Sequence, residues 1–265
     1  MKLITFIFLT VSVLFAKEHY AKLEPYELKT ISSNVSALVM FADITKEGKR
    51  LKGDEYITLD DKLDKIELKQ IEKKMLLLNS TIELNQEVIK NYDALLKKKV
   101  TNFERIKSLK IKSSVEKDRE FYDLVNSQNQ YINTKKELEN IRVQLNDLNL
   151  RKEVLLKSVS DKHISSTEFT LYKLHVKEGQ FVSPSTPLAD LADISKGKLV
   201  IYLSYEEMVN YKSKALYLDG VKSSYTITRV WNIADSKHLS NYRAEIVIDA
   251  PKIFSRLIKV ELRDD

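Results

Sequence analysis

Apolar residues recur every seven positions through the middle of this chain. Leu68, Met75, Ile82, Ile89, Leu96 and Phe103 form one row. Three residues beyond each lie Ile71, Leu78, Asn85, Tyr92, Lys99 and Ile106, apolar except for Asn85 and Lys99. Two such rows are the a and d positions of about five heptads, and a repeat of 3.5 keeps one stripe of a helix turned toward a partner. Asn85 on the stripe fixes register at a cost in stability. A second stripe follows, with Leu124, Tyr131, Leu138 and Leu145 seven apart and Ser127, Thr134, Ile141, Leu148 and Leu155 in the companion row. Between the stripes lies "SLKIKSSVEKDRE", Ser108 to Glu120. Ser113 or Ser114 is a natural N-cap, and Glu116 and Asp118 fall in the first turn after it, where the helix dipole favours acids. The pattern predicts two antiparallel helices joined by a tight turn near Lys112–Ser114, each of about 45 residues and ~65 Å long. No glycine occurs between Gly53 and Gly179, and no proline between Pro25 and Pro184, so neither strong helix breaker interrupts the hairpin.

The flanks have a different rhythm. Residues 31–59 contain short apolar stretches such as "NVSALVMFADI", with Gly48 and Gly53 marking turns. Residues 169–193 read the same way, with "FTLYKLHV", a glycine turn and then two prolines. One motif is written twice: "KEGKRLKGDEYITLDD" begins at Lys46 and "KEGQFVSPSTPLADLAD" at Lys177. Each copy places an aliphatic residue three positions after the glycine, Leu51 or Val182, and another nine after it, Ile57 or Leu188. An antiparallel hairpin brings its ends together, so the two copies are expected to meet and form one β-domain split by the coiled coil. From Leu199 onward "KLVIYLS", "YTITRVWNIA", "YRAEIVIDA" and "LIKVELRD" read as strands, with a short helix in "SYEEMVNYKSK". These predict a small antiparallel barrel. The fold class is α+β. Residues 17–60 hold the N-terminal strands and the first half of the split β-domain, 61–160 the coiled-coil hairpin, 161–195 the second half and 196–265 the barrel.

The start of the chain changes the picture of where it works. Lys2 is a positive n-region, Leu3 to Phe15 an apolar run, and Ala16 a small residue at a cleavage point. Residues 1–16 therefore read as a signal peptide. The run falls short of the ~20 residues that span a bilayer; its retention as an N-terminal anchor is the competing reading. The mature chain is expected to be exported and soluble.

Composition mostly excludes. With no cysteine there is no disulfide, thiolate metal site, cysteine nucleophile or lipid-modified N-terminal cysteine. Charged residues make up 31%, as suits long exposed helices. The formal charge of +6 is dispersed along the chain, with no compact Arg/Lys patch interleaved with aromatics, which argues against nucleic acid as a partner. No two of His19, His163, His175 and His238 have the i, i+4 spacing of a helical metal site. Met40, Met75 and Met208 are too dispersed for a copper cluster. Acid pairs such as Asp60-Asp61 and Glu206-Glu207 sit at strand-to-helix junctions, where they serve helix N-termini. There is no glycine-rich phosphate loop and no Gly-x-Ser-x-Gly. No catalytic, cofactor or metal site is expected, and the chain does not read as an enzyme.

The whole organisation resembles the periplasmic adaptor, or membrane fusion, family of HlyD type. The resemblance rests on Glu47-Gly48 with Lys52-Gly53, on Glu178-Gly179 with Val182 and Pro184, and on the long coiled coil between them. It implies a lipoyl-like β-domain split by the hairpin, followed by a β-barrel. About 66 residues follow Leu199, room for one barrel and little more. It also implies a periplasmic location, with association to the inner membrane, and assembly into a homo-oligomeric ring. An inner-membrane transporter would sit at the β-domains and an outer-membrane channel at the hairpin tip. Members that dock to channels carry Arg-x-x-x-Leu-x-x-x-x-x-x-Ser there. Arg105 and Leu109 match, Glu116 stands at the serine position, and Ser113 and Ser114 lie just before it. The resemblance thus makes Arg105, Leu109, Lys112, Ser113, Ser114 and Glu116 the partner-binding tip. An Arg105–Glu116 pair across the turn is a competing use of those two side chains. True lipoyl domains modify a lysine near the position of Lys62; here Lys62 enters a helix and is not expected to carry lipoate. A periplasmic coiled-coil holdase or scaffold is the alternative function.

Overall fold

The structure, a computed structural model, describes residues 17–234 and 240–264. The expected signal peptide, residues 1–16, and His238 lie outside the described residues. Two long helices dominate: α1, Lys62–Ser108, and α2, Ser114–Asp161, of 47 and 48 residues. At 1.5 Å per residue each is about 70 Å long. They run antiparallel, and the heptad stripes face one another. Ile71, Leu124, Ser127, Leu138, Ile141 and Leu155 are buried and the remaining stripe positions are half-buried. Lys99, the charged exception on the first stripe, reaches across to the Asp123 carboxylate. Near the root, Glu67 pairs with Arg151 at 2.7 Å and Glu72 with Lys152 at 3.0 Å. Closer to the turn, the Phe103 and Phe121 rings meet at 5.7 Å.

Strands from both sides of the hairpin share one sheet. β3 (Ala37–Ala42) and β4 (Arg50–Leu59) precede it; β5 (His163–Leu174), β6 (Phe181–Val182) and β7 (Pro187–Leu203) follow it. β4 pairs with β5 and β3 with β6, both antiparallel. The repeated Lys-Glu-Gly motif has a reciprocal role here. The Gly48 N–H donates to the Leu171 carbonyl at 2.7 Å, and the Gly179 N–H to the Val39 carbonyl at 2.9 Å. Each glycine thus ties its own half to the other. Both have positive φ, 75° and 82°, a backbone region where a Cβ is penalised. The aliphatic residues spaced from these glycines, Leu51, Ile57, Val182 and Leu188, are buried in one core with Val39, Tyr56, Leu171 and Leu191.

The C-terminal strands do not close into a barrel. β8 (Lys214–Leu218), β9 (Val221–Lys222) and β12 (Leu257–Asp264) form a four-stranded sheet with β1 (Glu18–Lys22), in the order β1-β12-β8-β9. β10 (Ile227–Ala234) and β11 (Tyr242–Asp249) instead extend the larger sheet through β7, which β2 (Glu24–Ser32) also joins. The two layers enclose a second core of Leu23, Leu199, Ile201, Ile246, Val260 and Leu262. The cause is β7, which is 17 residues long and serves both cores, so its far end remains hydrogen-bonded to the split domain's sheet. β1 lies with these C-terminal strands, paired with β12, and not with the first half of the split unit. Within β7, Gly197 marks a close approach and not a turn: a Cβ there would stand 2.8 Å from Leu23 Cδ1 and 2.9 Å from Ile248 Cγ1. Gly197→Ala should therefore cost about 1–3 kcal/mol by overpacking, read as a lower denaturant midpoint; an unchanged midpoint would contradict the close approach.

An ionic cluster roots the hairpin. His163, where α2 gives way to β5, holds Asp61 at 2.7 Å through Nε2 and Glu55 at 3.0 Å through Nδ1. Lys65 also reaches Asp61, at 2.7 Å, and Lys162 reaches Asp64 at 2.8 Å. Hydrogen bonds from Glu55 first and Asp61 second raise the His163 pKa above its ordinary 6.5. The His163 hydrogen bond lowers that of Glu55; at Asp61 burial opposes, but Lys65 and His163 outweigh it. The signs set a window. His163's contribution is complete below pH 6.5 and fades as pH rises through its folded value. Those of the carboxylates are complete above their ordinary 4.5 and 3.8 and fade as pH falls. Wild-type stability should fall from pH 6 to 8 by less than about 1 kcal/mol, the range of a partly exposed pair. His163→Gln should flatten that slope in thermal melts across the interval.

Candidate partner-binding site at the hairpin tip

The turn occupies residues 109–113, and local hydrogen bonds fix it. α1 has no glycine at its end; the Ser108 hydroxyl caps it by donating to the Arg105 carbonyl at 2.7 Å, and Leu109 leaves in an extended conformation. α2 begins with a capping box. The Ser113 hydroxyl accepts the Glu116 N–H at 3.3 Å, while Glu116 Oε2 accepts the Ser113 N–H at 3.1 Å. Ser113 is thus the N-cap and Ser114 the first helical residue. Lys112 adds an i, i+4 ion pair to Glu116 at 3.0 Å. That bond, with the backbone N–H of Ser113, lowers the Glu116 pKa.

All six residues singled out in the sequence lie in or beside this turn, but with different duties. Glu116 is committed to the cap. It does not pair with Arg105, whose Nη2 donates instead to Asn102 Oδ1 at 3.1 Å. Leu109 is 38% exposed. Two residues the sequence reading passed over are far more open: Ile111 is 89% exposed and Val115 74%. The signal for them was available, since neither falls on a heptad stripe and an apolar residue off the stripe beside a turn has no core to enter. The result is a hydrogen-bonded turn, far from both β cores, that presents two unpartnered aliphatic side chains.

Other candidate positions serve the fold. Lys62 opens α1, its N–H received by Asp60 Oδ1 at 3.1 Å. Glu207 closes a capping box with Ser204 and holds His19 at 2.8 Å. His175 contacts Asp190 at 2.8 Å. Among the described residues no group of three His, Cys, Asp or Glu is placed to hold a metal ion, and no helix is long and apolar enough to cross a membrane.

No family model matches the sequence, and no curated protein does. Solved structures do match. MacA from Actinobacillus actinomycetemcomitans aligns over 94% of this chain and 79% of its own, at 15% identity and a TM-score of 0.66. The membrane fusion protein Spr0693 from Streptococcus pneumoniae R6 aligns over 94% of this chain and 100% of its own, at 8% identity and a TM-score of 0.53. A chimera of MacA carrying the α-hairpin domain of Pseudomonas aeruginosa MexA aligns over 94% and 82%, at 15% identity and a TM-score of 0.51. At these identities the likeness is one of fold alone.

Proposed function

We propose that this chain is a periplasmic adaptor subunit that links an inner-membrane transporter to an outer-membrane channel for efflux or secretion. The observation that carries the reading is the tip: a capped turn held about 70 Å from the β units, with Ile111 and Val115 exposed and no use for them in the fold. Exposed aliphatic side chains on a rigid element are the form a docking anchor takes. The role is mechanical. The β units at the other end sit against the transporter, and copies of the chain stand side by side in a ring with their hairpins forming a tube. Leu77, Leu84 and Leu150, exposed on the hairpin's outer sides, are then contacts between neighbouring copies. Residues 1–16 direct export. No catalytic step is assigned to the chain. Membrane fusion is the printed role of one structural neighbour, Spr0693, and supports this reading by analogy of fold.

A photo-crosslinking residue at Lys112 tests it. An adaptor yields a discrete adduct with one outer-membrane channel protein. A holdase or scaffold yields a smear of soluble clients, and that outcome would overturn the proposal.

A further inference from the structure

The chain's formal charge of +6 conceals a concentration at the tip. The 13 residues from Arg105 to Lys117 contain Arg105, Lys107, Lys110, Lys112 and Lys117 against a single acid, Glu116. Five of the six charged side chains in that stretch are basic, while Glu104, Asp118 and Glu120 stand just beyond its ends on the two helices. The lone acid is already occupied by Lys112 and by the Ser113 N–H. Arg105 meets only the Asn102 amide oxygen, and Lys107 lies over the Phe103 ring at 5.9 Å. Among the described residues no carboxylate pairs with Arg105, Lys107, Lys110 or Lys117. The root of the hairpin is built differently: Asp64, Glu67 and Glu72 each meet a basic partner there.

We infer that the surface receiving the tip is an acidic protein surface, with a shallow apolar depression for Ile111 and Val115 rimmed by aspartate and glutamate. This rests on the docking role proposed for the tip. Like charges crowded on a narrow turn repel one another in the free protein, and an acidic receiver relieves that repulsion on contact. Such complementarity speeds encounter and rejects neutral or basic surfaces more than it adds affinity. Charges on an exposed turn act over a Debye length of about 8 Å at physiological salt, so the acids must line the immediate rim. Anionic lipid is the other chemistry that attracts lysines. The tip is poorly suited to it, because its open apolar surface is confined to Ile111, Val115 and part of Leu109, and stable attachment to a membrane takes a larger buried apolar area. The capping box also fixes the turn in one shape, which a shaped receiver can use and a fluid bilayer cannot.

The test places an apolar photo-crosslinking residue at Ile111 in the full chain, expressed in its own source cells. It compares the wild-type background with Lys107→Glu, Lys110→Glu and with Lys107→Gln, Lys110→Gln. Charge reversal should reduce the tip adduct about tenfold or more and neutralisation should reduce it less, with unchanged thermal melting in both. The crosslinked peptide of the partner should carry Asp or Glu beside the attachment point, and reversing those acids to lysine should restore adduct formation with the Lys107→Glu, Lys110→Glu variant. Undiminished adduct on charge reversal, or a contact peptide without acids, would overturn the inference. So would wild-type binding to phosphatidylglycerol vesicles that the reversed variant loses, because the charge would then belong to lipid. The two proposals fail separately. An acidic contact on a protein other than an outer-membrane channel removes the channel reading and keeps this one. A channel contacted through a neutral or basic surface does the reverse.

Discussion

Replacing Leu138 by aspartate should destabilise the hairpin by about 3 kcal/mol or more, since it buries a charge with no partner. Leu138 is 6% exposed, on a stripe where only a few side chains are that deeply covered. A two-helix seam has no further layer behind it into which a charge could turn for pairing. The basic side chains one turn away on α2, Lys135 and Arg142, are engaged by Tyr131 and Glu139. The loss should be local. Neither β core draws a residue from the stripes, so helical signal should melt early while the sheets persist, giving two transitions by far-UV circular dichroism where the wild type shows one or a later pair. Lys90 is exposed on α1, and its replacement by serine should change stability by less than about 0.5 kcal/mol. Equal effects at Leu138 and Lys90 would mean that the stripes do not face one another.

The second large effect is on association and leaves the fold intact. Ile111→Asp combined with Val115→Asp should abolish recovery of the chain with outer-membrane material while melting as wild type does. Anchors of this kind are worth about 2 kcal/mol or more each in an interface, and a carboxylate in their place adds an unpaired charge to the contact. Folding should not suffer, because both side chains are exposed in the free chain and an acid in the first turn of α2 suits the helix dipole. Wild-type recovery with the double variant would show that the tip makes no contact. A drop in melting temperature would assign Ile111 and Val115 to the fold.

Much of this architecture was legible in the sequence, for a physical reason. Each heptad position faces one other helix, so the constraint on it is local and periodic, and even the exceptions have visible uses, as Lys99 shows by reaching Asp123. The doubled Lys-Glu-Gly motif was legible because both copies meet the same demand, a glycine turn that hands its N–H to the opposite half. The N-cap was legible only to within one residue, because which serine caps α2 depends on where the chain reverses; the reciprocal bonds of Ser113 and Glu116 decide it. The barrel was misread because a strand's sequence does not record which sheet it ends in. β7 runs straight through Ser195 and Gly197 into the C-terminal strands, and Gly197 is small because Leu23 and Ile248 press on it. Ile111 and Val115 belong to neither the heptads nor the Arg105 and Leu109 pattern, and the sign of their exposure is only that an apolar residue off the stripe has no core to enter.

The most direct measurement of the bridging role uses one molecule and two photo-crosslinkers. One stands at Ile111 on the tip and the other at Val209, exposed on the short helix α3, Tyr205–Asn210, of the C-terminal β unit. A bridge predicts a single adduct that contains this chain, an outer-membrane protein joined through Ile111 and an inner-membrane protein joined through Val209. Adducts in which both positions reach proteins of the same membrane, or only soluble clients, would contradict it.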